Sequence, residues 1–154
     1  VLVAVTLGES ASLISTCADS RHICTLSIAN VLYLAKEGFE NQGYISLNNL
    51  TRPFWQDLLG DQYTDSEDLW TSNGKGMFGI ALQALMDTGD KFMAVSKEYA
   101  PDGRMAEQID RYVLVKSGIG LISRNDGCPV GARDLTWSYA SFLEAARARE
   151  RAVG

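Results

Sequence analysis

The stretch that most restricts the fold runs over residues 23–38. Ile23, Leu26, Val31 and Leu34, with Ile28, Ala29, Leu32 and Ala35 beside them, set a broad apolar face at helical spacing, and Gly38 follows as a C-terminal stop. A helix apolar around so much of its girth is expected to be covered on most sides. The rest of the chain must therefore be read for what covers it.

Three further stretches carry helical signals. Over 51–60, Thr51 stands as a cap, Pro53 sits where a first turn tolerates it, and Gly60 ends a short run bearing Phe54, Trp55, Leu58 and Leu59. From Met77, the positions Ile80, Ala81, Ala84, Leu85, Thr88, Phe92 and Val95 keep the period to about Lys97; Gly89 interrupts it at a cost of about 1 kcal/mol relative to Ala. Met77, Met86 and Met93 suit gap-filling core positions. The last helix is expected from Asp134 or Thr136, as cap, to about Glu150, with Leu135, Tyr139, Phe142, Leu143 and Ala146 inward.

Between these helices the chain is polar. Residues 61–75 look like a long surface loop, and loops of that length inside a domain are often functional. Residues 112–124 are β-branched and glycine-containing, as in a small hairpin, and 125–129 form a turn. Residues 1–22 hold no period for long. Four helices in series, with β character only in those two segments, predict an all-α toroid or bundle.

Composition narrows the function. The 154 residues suit one domain, and a start at Val1 without a basic leader suggests a piece of a longer chain. A net charge of -5 argues against a nucleic-acid partner, and the basic run Arg147, Arg149 and Arg151 is expected to be a solvated helix face. No run approaches the roughly 18 apolar residues of a membrane span. Cys17, Cys24 and Cys128 make neither a disulfide framework nor a zinc pattern, and a single His22 supplies no His-based triad or multi-histidine metal site. No metal or cofactor is expected.

Two short motifs remain. Gly103-Arg-Met-Ala-Glu-Gln-Ile-Asp110 places Glu107 in a loop after a Pro101-Asp102-Gly103 turn, and Ala132-Arg-Asp-Leu-Thr-Trp-Ser-Tyr-Ala140 opens a helix with Trp137. On physics alone these are a solvated acid and a core aromatic.

Taken together, and with Cys24-Thr-Leu-Ser-Ile-Ala-Asn-Val-Leu-Tyr33 upstream, the motifs closely resemble the C-terminal part of the catalytic domain of glycoside hydrolase family 15, the fungal glucoamylases. The resemblance covers about residues 23–111 and 125–150 and implies a partial (α/α)6 barrel, an incomplete six-hairpin toroid. It implies hydrolysis of α-1,4-glucans from their non-reducing ends with inversion, on starch-like poly- or oligosaccharides, by a secreted parent protein. That chemistry uses two carboxyl groups about 6.5–9.5 Å apart, one protonating the leaving oxygen and one activating water. Glu107 matches the family's general base, Trp137 the indole beside the bound sugar, and Gln108 a supporting residue. Asp110 and Asp134 are expected to be structural, as turn and cap.

The acid partner is expected upstream of this chain, which alone should release no glucose. The competing reading is a non-catalytic helical module for carbohydrate or protein binding. Residues 1–22 and 112–124 depart from the family pattern, and 112–124 parts two motifs that belong close together.

Overall fold

The computed structural model describes residues 19–20, 22–64, 67–74, 76–100, 102–110, 113–117, 120–124, 129–130, 132 and 134–154. In chain order these form β1 (Asp19–Ser20), α1 (His22–Gln42), β2 (Tyr44–Ser46), α2 (Arg52–Leu59), a 3-10 turn (Gly60–Gln62) and β3 (Leu69–Thr71). There follow α3 (Met77–Glu98), β4 (Gln108–Asp110), β5 (Val113–Ser117), β6 (Gly120–Arg124), β7 (Pro129–Val130) and α4 (Thr136–Val153). Most of residues 1–22, and 125–128 of the expected turn, lie outside the described residues. Among the described residues no helix is long and apolar enough to cross a membrane.

All four expected helices form. The first runs four residues beyond Gly38 and stops where Gly43, at φ 77°, returns its N–H to Phe39 O at 2.8 Å. The extension has a packing cause: it carries Phe39 onto Trp55, ring centroids 5.7 Å apart. At α2 the Thr51 hydroxyl makes no cap bond and turns back to accept Asn48 N–H, while Asn48 Oδ1 accepts the N–H groups of Leu50 and Thr51. The short polar side chain of Asn48 thus orders the entry to α2.

Helix α1 is the centre, with α3 against one side and α4 against another. Leu26 clusters with Ala100 and Met105, whereas Leu32 clusters with Leu82 and Leu85, so α1 and α3 are antiparallel. Ala29 and Tyr33 meet Ala145, Ala148 and Ala152, and α1 and α4 run the same way. Small residues at i, i+3 and i+7 let α4 lie close. Its inward face is therefore rotated from expectation: Ser138, Ala145, Ala148 and Ala152 are buried, while Phe142 and Leu143 are exposed.

One more expectation is corrected here. Ile28, Val31 and Leu34 of α1 are exposed, so among the described residues the broad apolar helix is covered chiefly by α3 and α4. The basic run of α4 is exposed as expected, at Arg147, Arg149 and Arg151, and Arg149 and Arg151 are ion-paired as well. Arg149 grips both oxygens of Asp90 at 2.7 and 2.8 Å, Asp90 Oδ1 accepts the Tyr33 hydroxyl at 2.7 Å, and Arg151 pairs with Glu37. The Arg149 bonds hold the Asp90 carboxyl below its ordinary range, and burial with the Asp90 contact pushes the Tyr33 phenol up.

The expected loop at 61–75 contains β3, antiparallel to β2 in the register Tyr44↔Thr71, Ile45↔Trp70, Ser46↔Leu69. Trp70 is buried edge-to-face on Trp55, centroids 5.6 Å apart. A three-residue strand is too short to show a period, so its apolar centre was invisible in a polar run. Strands β5 and β6 pair antiparallel from Val113↔Arg124 to Ser117↔Gly120, in line with the hairpin expected over 112–124.

Candidate active site

At one end of the helices lie the start of α1, the end of α3 and the start of α4, and the loop of the first motif crosses there. Gly103 takes φ 73°, a conformation suited to glycine, and turns the chain back with its N–H on Ala100 O at 2.9 Å. Met105 and Ala106 are buried, Met105 against Leu26. Glu107 follows, half-buried, and Gln108 begins β4.

The second motif comes back to meet it. Strand β4 lies between β1 and β7, all antiparallel, with Gln108↔Val130 and Ile109↔Pro129 in register and Asp110 opposite Asp19. Asp110 is thus a strand residue rather than a turn residue. The pairing continues beyond the strands. Glu107 N–H donates to Ala132 O at 2.8 Å, Ala132 N–H donates to Glu107 Oε2 at 3.4 Å, and Leu135 N–H donates to Met105 O at 3.1 Å.

Strands β5 and β6 pair with each other while β4 pairs with β7, so the two motifs lie adjacent despite the segment between them.

The structure therefore brings Glu107 to the chain entering α4, whose first turn bears Trp137. The indole is 73% exposed, so it is a surface aromatic and not the core residue that helical spacing alone suggests. Gln108 is fixed in backbone by β4; its side chain and Arg133 lie outside the described residues. Asp134 does not cap α4, whose N-cap position is Leu135 with no side-chain bond; its Oδ1 instead accepts the hydroxyl of Tyr139 at 2.8 Å.

Sequence reasoning missed two residues here. The Tyr139 hydroxyl accepts Met105 N–H at 3.2 Å, and Ser138 Oγ donates to Ala106 O at 3.5 Å. Their only sequence signal is position, directly after Trp137 in the first turn, where polar groups can reach back over an incoming loop.

His22, a turn before Leu26, is fully buried, and neither ring nitrogen has a hydrogen-bond partner among the described residues. Burial holds its pKa below the ordinary 6.5. Above pH 6.5 both folded and unfolded imidazoles are neutral; below it the unfolded chain takes the proton first, so stability should fall until the folded imidazole also protonates. The unfolding free energy from urea titration is expected to drop between pH 7 and about 5.5, by up to ~1.4 kcal/mol per pH unit, and His22→Leu should flatten that slope. An equal slope in the variant would assign the effect elsewhere.

A cleft of about 520 Å³ lies at the far end of α3, lined by Thr64, Glu67, Trp70, Thr71, Gly74, Met77 and Phe78. The 22 residues of α3, about 33 Å of helix, separate it from the Glu107 loop, and no expected site residue lines it.

Comparison with known proteins agrees with the helical arrangement and the motifs. The family model for glycosyl hydrolases family 15 matches residues 7–147. A glucoamylase of Blastobotrys adeninivorans is 33% identical over 130 residues, 84% of this chain and 19% of the relative. A probable glucoamylase of Schizosaccharomyces pombe is 34% identical over 135 residues, 86% of this chain and 24% of the relative. The solved family 15 glucoamylase of Hypocrea jecorina superposes with a TM-score of 0.69 at 29% identity, over 86% of this chain and 19% of that one. The chain thus spans about a fifth of the length of these relatives. Its four helices are part of an (α/α)6 barrel, and the chain belongs to glycosyl hydrolases family 15.

Proposed function

We propose that the chain supplies the base-bearing part of an inverting α-glucosidase acting at the non-reducing ends of starch-like α-1,4-glucans. The observation that carries this reading is the double tie between Glu107 and Ala132, which holds a partly exposed carboxylate beside the helix turn that presents Trp137. Glu107 takes a proton from water as the water oxygen bonds to the anomeric carbon; the glycosidic bond breaks on the opposite face, and its oxygen receives a proton from the general acid. That acid is supplied from outside these residues. Trp137 offers an indole face for the sugar and an N–H donor, and Gln108 supports Glu107. The parent protein is secreted, as suits a polymeric substrate.

Product stereochemistry tests the reading. Maltose treated with the full-length protein should give β-glucose first, seen by proton NMR before mutarotation. Retention would overturn the role of Glu107 as a base acting on water, and no glucose at all would leave the chain as a helical binding module.

A further inference from the structure

We propose that Tyr139 is a positioning residue for Glu107, its phenol clasping the Met105 backbone on one side and the Asp134 carboxylate on the other. This rests on the reading of Glu107 as the base. Met105 is held through both of its backbone groups: its N–H donates to the Tyr139 hydroxyl at 3.2 Å, and its carbonyl accepts Leu135 N–H at 3.1 Å. Both partners stand at the start of α4. Two residues on, Glu107 N–H reaches Ala132 O, and Ala132 N–H reaches the Glu107 carboxylate.

The hydroxyl also donates to Asp134 Oδ1 at 2.8 Å. A phenol that gives its proton to a carboxylate becomes a better acceptor, so the Asp134 contact strengthens the grip on Met105 N–H. Tyr139 packs by its ring beside Leu26, Ala100 and Met105, which leaves the phenol little freedom to turn away. Trp137 sits two residues earlier on the same turn. The acid loop and the indole are thereby referred to one rigid element, so that a shift of the loop changes their separation directly. A catalytic group misplaced by about 1 Å can lose a hundredfold in rate.

The test pairs Tyr139→Phe with Asp134→Asn and Asp134→Ala, the latter two at an exposed position. In the full-length protein, Tyr139→Phe should lower kcat on maltose by about 10- to 100-fold with KM unchanged, because the ring packing stays and only the base is displaced. The Glu107 amide proton should exchange about fivefold faster, the loss of one net hydrogen bond, while amides in the middle of α1 and α3 keep their rates. Asp134→Ala should move both readouts the same way, and Asp134→Asn, which keeps an acceptor oxygen, should restore them.

Wild-type kcat in Tyr139→Phe, in a protein that Glu107→Gln disables, overturns the proposal. Equal acceleration of all helical amides overturns it too, since the residue would then be one of general stability. Failure of the base reading is seen separately, as full activity in Glu107→Gln.

Discussion

Glu107→Gln is expected to lower kcat of the full-length protein by roughly 10²- to 10⁴-fold, the usual share of a general base, with KM nearly unchanged. The substitution is close to isosteric. The amide oxygen can still accept Ala132 N–H, and the bond from residue 107 N–H to Ala132 O does not involve the side chain at all. The loop should therefore stay in place. What is lost is a group that can take a proton from water as the water attacks, an interaction realised in the transition state and not in the bound sugar. Initial rates on maltose over a range of concentrations separate the two parameters. A kcat within a few-fold of the parent's would remove Glu107 from the reaction.

Gly89→Ala should destabilise the chain by about 1–3 kcal/mol, although Ala is the better helix former by about 1 kcal/mol. A Cβ at this position would lie 2.5 Å from Tyr33 Cε1 and 2.8 Å from Cζ. The ring cannot step aside. It is fully buried among Ala29, Met86 and the alanines of α4, and its hydroxyl is tied to Asp90, which Arg149 holds by both oxygens. The added methyl must either part α1 from α3 or break that three-helix tie. Urea denaturation measures the loss as a lower midpoint. Gly38→Ala is the matched control: its Cβ meets nothing within 4 Å, so the same change should gain about 0.5–1 kcal/mol. If both variants gained, the contact with Tyr33 would be soft and the glycine dispensable.

These two glycines show what the sequence makes legible. Both sit inside helices, where the linear pattern reads Gly38 as a stop and Gly89 as a costly interruption; the neighbour across the interface reverses which of them is dispensable. The helices themselves were legible, because Ile23, Leu26, Val31 and Leu34, and likewise Met77, Ile80, Ala81, Ala84, Leu85 and Thr88, keep a period that outlasts local noise. The face of α4 was not. Its buried positions are alanines and a serine, which carry little hydrophobic signal, while the large Phe142 and Leu143 that dominate the pattern point outward. Trp70 was hidden for a similar reason, in a three-residue strand beside Leu69 within polar surroundings. Glu107 and Trp137 stand out in the sequence through their motifs, but the partners that hold the loop, Ser138 and Tyr139, are ordinary residues whose contacts exist only once 105–107 and 132–139 are side by side. The expectation that residues 112–124 would part the motifs failed because a hairpin satisfies its own backbone and leaves its two stems where they began.

That hairpin has a use in protein engineering. Because β4 and β7 are zipped together below it, the chain between them is a side branch whose length is nearly free: each doubling of such a loop costs only about 0.6 kcal/mol in closure entropy. The span from β4 to β7 is thus a splice port, where a reporter peptide or an affinity module can be grafted while the address of Glu107 stays fixed from below.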